Sequence, residues 1–142
     1  MSSRSVRTCA RLRFNKRSQD GSGKANVEPD PAGEVWGVLY ALPDHHLAVL
    51  DRGEGQGYAR RREIVRTRAG ADVHAWVYVA VSPAADPTLR PYGWYKRFLV
   101  EGAREHRLPD PYVKTLEAIE SMDDPNAARD RQKRSLSCEA AG

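Results

Sequence analysis

The chain has 142 residues, of which 40% are hydrophobic and 30% are charged, and its formal net charge is +4 at neutral pH. This composition is ordinary for a globular protein, and the length suits one domain with its own core. No apolar run approaches the roughly 20 residues of a membrane span, so we expect no membrane partner. The arginines are scattered rather than clustered, so the charge does not favour a nucleic-acid partner.

Two cysteines, Cys9 and Cys138, lie near opposite ends of the chain. No paired-cysteine or cysteine–histidine spacing accompanies them, so neither a zinc site nor a disulfide framework is predicted. The first residues, Met1 to Arg13, contain no apolar stretch of the kind found in a signal peptide. Together these features predict a cytoplasmic protein.

The amino-terminal part of the chain predicts one strand and a hairpin turn. Residues 1–10 are polar without periodicity, so we expect an irregular segment. Leu12 and Phe14 alternate with charged residues, which predicts a short strand with one buried face. The run Asp20–Lys24 (DGSGK) predicts a hairpin turn. A phosphate-binding loop would require Ser or Thr after the lysine and a helix to follow, whereas Ala25 stands there.

The middle of the chain predicts three strands and a short helix. Glu34–Leu42 is almost continuously apolar, which predicts a strand buried on both faces. Asp44 is a suitable N-cap for a helix over His45–Asp51, which we expect the following glycines to end. Tyr58–Thr67 and Val73–Val81 predict two further strands joined by a turn.

The carboxyl-terminal part predicts two helices and a tail. Tyr95–His106 has a helical pattern, and apolar residues at i, i+4 and i+7 from Tyr112 predict a second, amphipathic helix. Residues 123–142 are small, polar and charged, which predicts a disordered tail. Strands followed by helices indicate an α+β fold, with one domain over residues 11–122.

Glu54 is the leading candidate for chemistry. It lies between Gly53 and Gly55, and glycines beside a carboxylate permit close approach to a ligand. A general base requires a raised pKa and apolar walls, for which Trp36 and Tyr40 on the preceding strand are candidates. A solvated loop carboxylate is the alternative, and the residues alone leave both open.

An aromatic group before the predicted helix allows two interpretations. Tyr92, Trp94 and Tyr95, interleaved with Arg90 and Lys96, are compatible with a base-stacking platform. The alternative is a loop-to-helix junction packed by aromatic side chains, which we favour.

Several segments, taken in order, resemble bacterial γ-glutamylcyclotransferase-like proteins. The resemblance spans roughly residues 11–122 and implies a small mixed β-barrel flanked by helices. The matching segments are Arg11–Ser18, Asp20–Lys24, Glu34–Tyr40, the Leu-Asp-x-x-Glu-Gly piece at Leu50–Gly55, Tyr58, Tyr95–Lys96, Glu101–Ala103 and Leu108–Pro109.

The resemblance also implies an activity. In the family's reaction, the α-amine of a γ-glutamyl group attacks its own γ-carbonyl and releases 5-oxoproline with an amine or amino acid. The family's acid/base glutamate falls on Glu54, and substrate-binding tyrosines fall on Tyr95 and Tyr58. The implied partner is a small-molecule γ-glutamyl substrate, with no metal and no other cofactor. No oligomeric state is indicated.

One element of the family pattern does not occur in this sequence. The family opens with a strand ending in Tyr-Gly-Ser-Asn, whose backbone N–H groups bind the glutamyl head and the developing oxyanion. We therefore expect a barrel without its first strand, and turnover only if that half-site is supplied. A non-catalytic binding or interaction module of the same fold is the alternative hypothesis, and a basic nucleic-acid-associated protein is a third.

Overall fold

The computed structural model describes residues 3–54, 57–81 and 88–136. The order of elements is that of an α+β protein, as predicted. The strands are β1 (Ser3–Thr8), β2 (Ala10–Arg17), β3 (Gly23–Pro29), β4 (Val35–Tyr40), β5 (Tyr58–Thr67) and β6 (Asp72–Ala80). The helices are α1 (His46–Glu54), α2 (Gly93–Glu105), α3 (Asp110–Glu117) and α4 (Ala127–Arg134).

The strands form two antiparallel sheets that together curl into a half-barrel. Four strands pair in the order β4-β1-β5-β6, and β2 pairs with β3 as a separate hairpin. The buried side chain of Asn26 joins them, because its Oδ1 accepts a hydrogen bond from the Ala80 N–H at 3.0 Å. The predicted small mixed barrel flanked by helices is therefore confirmed.

Two apolar clusters fix the helices and the sheet. One lies between α2 and α3 and is joined by Leu12 and Trp36 from the strands. The other lies within the sheet, where Val6, Val65 and Ala75 pack together. Burial of one such large apolar side chain stabilises a fold by roughly 1.5–3 kcal/mol, so these contacts decide where α2 lies. Within the described ranges, no helix is both long and apolar enough to cross a membrane.

The predicted irregular segment at residues 1–10 is wrong. Ser3–Thr8 forms β1, which lies between β4 and β5 and pairs with β4 from Ser3 opposite Tyr40 to Thr8 opposite Val35. Among Arg4–Thr8, the residues of this strand whose burial the structure describes, only Val6 is buried. Hydrogen-bonded ladders on both sides hold β1 in place, and a polar sequence carries no signal of such pairing.

The strand predicted at Glu34–Leu42 is present as β4, but its predicted burial on both faces is wrong. β4 is an edge strand of its sheet, Val35–Leu39 are only half-buried and Tyr40 is 48% exposed. An apolar edge strand and an apolar central strand have the same sequence pattern, so the pattern does not distinguish them.

Several other elements agree with the sequence. The hairpin turn at Asp20–Lys24 is confirmed, with Gly21 in the left-handed region at φ +87°. β5 has the predicted bounds, and Gly70 at φ +89° turns the chain into β6. The aromatic junction before α2 is packed rather than open, because Tyr92 and Trp94 are 2% and 6% exposed.

The predicted disordered tail is wrong where the structure describes it. Asp124 is buried, and its carboxylate accepts hydrogen bonds from the Trp94 Nε1–H at 3.0 Å and from Arg129 at 2.5 and 2.6 Å. Arg97 donates to the carbonyl of Arg134 at 2.7 Å, which ties down the end of α4. This helix docks through polar contacts, so apolar periodicity does not reveal it. Residues 137–142 of the predicted tail lie outside the described residues.

The Asp124 ion pair makes the docking of α4 dependent on pH. The hydrogen bond from Arg129 holds the pKa of Asp124 well below its usual value, although burial acts in the opposite direction. Because the folded-state pKa is the lower one, this carboxylate stabilises the docked helix above its unfolded-state pKa of about 4. That contribution is lost as the pH falls through the folded-state pKa.

Replacing Asp124 by asparagine is expected to release α4 at neutral pH. The charged hydrogen bonds disappear, so amide exchange over Ala127–Arg134 should become at least roughly tenfold faster. Acidification should then loosen α4 in the wild type more than in the variant. Hydrogen-exchange mass spectrometry measures both effects. Asp123→Asn is the matched control, because Asp123 is exposed. Equal exchange in the two variants would contradict this account.

Candidate active site

A cleft of about 430 Å³ lies between the β2–β3 hairpin and the start of β5. One wall comes from the turn of the hairpin and the other from the end of α1. The residues that line it are Lys16, Arg17, Ser18, Gln19 and Lys24 from the hairpin, together with Glu54, Gly57 and Tyr58. The structure therefore brings Glu54 and Tyr58 together at a concave surface of the size that binds small molecules.

Glu54 lies at the end of α1, not in a loop. The helix extends through Gly53, so the end predicted at Asp51 is wrong. A glycine costs a helix only about 1 kcal/mol relative to alanine and does not stop it. Glu54 is exposed on its side of the cleft.

The prediction that Trp36 and Tyr40 form apolar walls around Glu54 is wrong. Trp36 packs against the α2–α3 core instead, and Tyr40 contacts His106. The aromatic neighbour of Glu54 in the cleft is Tyr58, which follows it after the turn into β5.

The two predicted substrate-binding tyrosines meet at the backbone of one residue, Ala25. The Tyr58 hydroxyl donates to the carbonyl of Ala25 at 2.9 Å, and the Ala25 N–H donates to the Tyr95 hydroxyl at 3.2 Å. Burial, with smaller contributions from Tyr95 and the charge of Glu54, raises the pKa of Tyr58 to about 12. Burial likewise raises the pKa of Tyr95. Both phenols are therefore neutral at physiological pH. Tyr95 lies outside the described lining of the cleft.

The hairpin turn presents Lys24 to the cleft in a fixed position. Its Nζ lies 4.5 Å from the Trp94 ring centroid and 4.3 Å from that of Tyr95, and it pairs with Asp20 at 3.3 Å. Asp20 in turn accepts from the Ser22 N–H at 2.9 Å. Burial lowers the pKa of Lys24, while Asp20 acts to raise it. Nothing in the sequence singles out Lys24, because its aromatic neighbours are about 70 positions away.

Helix α1 is held to the sheet by a polar anchor at Asp51. None of its residues His46–Glu54, all of them described, is buried. The Tyr78 hydroxyl donates to Asp51 at 2.6 Å, and Arg60 pairs with Asp51 at 3.4 Å. Asp51 and Glu54 are three residues apart and share a helix face. The position of Glu54 therefore depends on this anchor.

Replacing Tyr78 by phenylalanine is expected to loosen α1 without unfolding the sheet. A hydrogen bond to a charged group is lost, so exchange of the α1 amides should become roughly tenfold faster, with little change in β5 and β6. Hydrogen exchange measures this directly. Tyr40→Phe is the control, because the Tyr40 hydroxyl bonds to His106 and not to α1. If both variants left α1 unchanged, Asp51 would not be its anchor.

A second, more apolar cavity of about 480 Å³ lies between the four-stranded sheet and α2. Its walls include Val6, Trp36, Val65, Phe98 and Leu99. None of the described residues that line it is a carboxylate. The smaller cleft is therefore the better candidate for proton-transfer chemistry, although the apolar cavity has the greater volume.

Comparison with known proteins places this fold among the γ-glutamylcyclotransferases. A solved structure of a γ-glutamyl cyclotransferase superposes with a TM-score of 0.80 at 25% identity, covering 95% of this chain and 87% of that one. A crystal structure of an uncharacterised human protein superposes with a TM-score of 0.77 at 29% identity, covering 86% of this chain and 78% of that one.

The sequence comparisons agree. Residues 34–116 match the AIG2-like family. A mouse γ-glutamylcyclotransferase is 34% identical over 101 residues, which are 69% of this chain and 52% of the mouse protein. The chain spans about half the length of the curated relatives it matches. It belongs to the AIG2-like family, as a γ-glutamylcyclotransferase-like member.

Proposed function

We propose that this cleft binds a small γ-glutamyl compound and converts its γ-glutamyl group to 5-oxoproline, with Glu54 as the acid/base. The observation that carries the proposal is that Glu54, on the Leu-Asp-x-x-Glu-Gly segment, lines a cleft of ligand size in a protein of this family. Tyr58 lies in the same cleft, and both Tyr58 and Tyr95 bond to the backbone of the hairpin residue Ala25.

The chemistry needs only one proton carrier. Glu54 takes a proton from the α-ammonium of the substrate, and the freed amine attacks the γ-carbonyl carbon. The new C–N bond closes the five-membered ring, and the γ-amide C–N bond breaks as Glu54 returns its proton to the leaving nitrogen. The ring nitrogen loses a second proton to the same carboxylate, which passes it to the released amine, so the amine leaves as an ammonium. Because the nucleophile belongs to the substrate itself, its effective concentration is high, and positioning accounts for much of the rate.

The tyrosines support this chemistry by holding the cleft rather than by carrying protons. With a pKa of about 12, Tyr58 keeps its proton at neutral pH. Its hydroxyl fixes Ala25, the residue that follows Lys24, so the two walls of the cleft stay at a constant separation. We assign the substrate-binding roles of Tyr58 and Tyr95 to this positioning and to contact between the Tyr58 ring and the ligand.

The test is an assay for both binding and turnover. The purified chain is mixed with γ-glutamyl dipeptides, and NMR follows ligand binding and 5-oxoproline formation in the same samples. Saturable binding is the expected result, and 5-oxoproline release is expected once the family's Tyr-Gly-Ser-Asn strand and loop are added at the amino terminus, with little or none before. Binding without release in the extended chain would support the non-catalytic module instead, and no binding would contradict the proposal. A cytoplasmic location is part of the proposal, because the two cysteines show no disulfide pattern.

A further inference from the structure

Lys16 has an ammonium group that faces the cleft. Its Nζ donates to the carbonyl of Arg17 at 3.1 Å and lies 5.7 Å from the Tyr58 ring centroid. Among the residues that the structure describes, no Asp or Glu forms an ion pair with it. The other cleft lysine differs, because Lys24 is paired with Asp20 at 3.3 Å.

The stem of Lys16 is held in position by the opposite wall. A Cβ added at Gly57 would lie 2.3 Å from the Lys16 Cε and 2.6 Å from its Nζ, so the lysine packs directly over this glycine. Gly57 immediately precedes β5 and lines the cleft together with Glu54, so the ammonium lies over the start of β5. The cleft therefore places a cation beside the segment that carries the acid/base.

The described lining of the cleft has three cations, Lys16, Arg17 and Lys24, against one carboxylate, Glu54. Lys24 and Asp20 neutralise one another, and Glu54 must remain accessible to a ligand ammonium in the proposed function. A γ-glutamyl compound has an α-carboxylate on its glutamyl head, and a dipeptide has a second carboxylate on its leaving group. A carboxylate contact by a lysine at a partly buried site is a charge-assisted hydrogen bond, stronger than a neutral one.

We infer that Lys16 is an anion-binding residue of the cleft and contacts a carboxylate of the bound ligand. This inference rests on the proposed function, and it assigns Lys16 a binding role without any part in proton transfer. Either ligand carboxylate supplies the same chemistry, so the experiment is designed to tell the two apart.

The experiment compares γ-glutamylglycine with two of its amides, one at the glutamyl α-carboxyl and one at the glycine carboxyl. NMR titration gives the dissociation constants, and the same spectra report any 5-oxoproline. For the wild type, one of the two amides should bind about tenfold more weakly than the parent compound. That amide identifies the carboxylate that Lys16 contacts.

The variants isolate the contribution of Lys16. Lys16→Met keeps the stem over Gly57 but removes the charge. It should therefore weaken binding of the parent compound about tenfold and leave the affinity for the identified amide unchanged. Lys16→Arg keeps the charge and should retain the preference. Lys114→Met removes an equal charge from an exposed position on α3 and should leave the affinity for all three ligands unchanged.

Two outcomes would overturn the inference while leaving the proposed function standing. One is equal affinity of the wild type for the parent compound and both amides. The other is an equal loss for all three ligands in Lys16→Met, which would indicate a general disturbance of the cleft. Failure of all three compounds to bind the wild type would instead contradict the proposed function, and the Lys16 inference with it.

Discussion

In the chain extended by the Tyr-Gly-Ser-Asn strand and loop, replacing Glu54 by glutamine is expected to lower the rate of 5-oxoproline release by roughly 10²–10⁴-fold, the usual contribution of a general acid/base. Glutamine has nearly the same shape as glutamate, but it cannot accept the proton of the substrate ammonium. The change should therefore appear in kcat, with a smaller effect on KM. Measurement of 5-oxoproline over a range of γ-glutamyl dipeptide concentrations separates the two constants.

The matched control for this variant is Glu105→Gln. Glu105 is an exposed residue at the end of α2 and makes no contribution to the cleft. This variant loses the same charge as Glu54→Gln but leaves the cleft intact, so it should keep the wild-type kcat and KM. Release that survives in Glu54→Gln would place the base at another residue and remove the main support for the proposed mechanism.

The part of the fold that follows local periodicity could be predicted from the sequence. β6 over Asp72–Ala80 has alternating apolar residues, and its bounds agree with the predicted Val73–Val81 to within one residue. The turns at Gly21 and Gly70 use the left-handed backbone that glycine adopts most readily. These signals depend only on neighbouring residues, so a sequence carries them directly.

The elements whose predictions were wrong depend on partners far away in the chain. β1 has one buried residue among those described, Val6, and its place in the sheet comes from pairing with β4 and β5. α4 docks through Asp124, which contacts Trp94 thirty positions earlier. In both cases the stabilising contacts are polar or backbone contacts, and apolar periodicity cannot reveal them.

The candidate site likewise contains some residues that the sequence identifies and others that only the folded structure reveals. Glu54 and Tyr58 are close in sequence, and the resemblance to the family is enough to select them. Lys16 and Lys24 reach the site from the β2–β3 hairpin, and Tyr78, which anchors α1 at Asp51, comes from β6, so only the folded chain shows that they belong to it. The wrong choice of Trp36 as a wall for Glu54 has the same cause, since its position in the sheet directs it to the α2–α3 core.

Gly23→Ala is expected to destabilise the protein by about 2–3 kcal/mol, the cost of forcing an extra methyl group into a packed site. An added Cβ would lie 2.1 Å from the carbonyl oxygen of Phe14, and the Gly23 N–H is fixed to the Arg90 carbonyl at 2.8 Å, so the backbone has little room to move. Because Lys24 is the next residue, ligand affinity should fall as well. Urea unfolding measures the loss of stability.

Gly53→Ala is the control for this variant. Nothing lies within 4 Å of an added Cβ there, and alanine should stabilise α1 by up to about 1 kcal/mol. A Gly23→Ala protein as stable as the wild type would mean that the hairpin adjusts freely and does not hold Lys24 rigidly in the cleft.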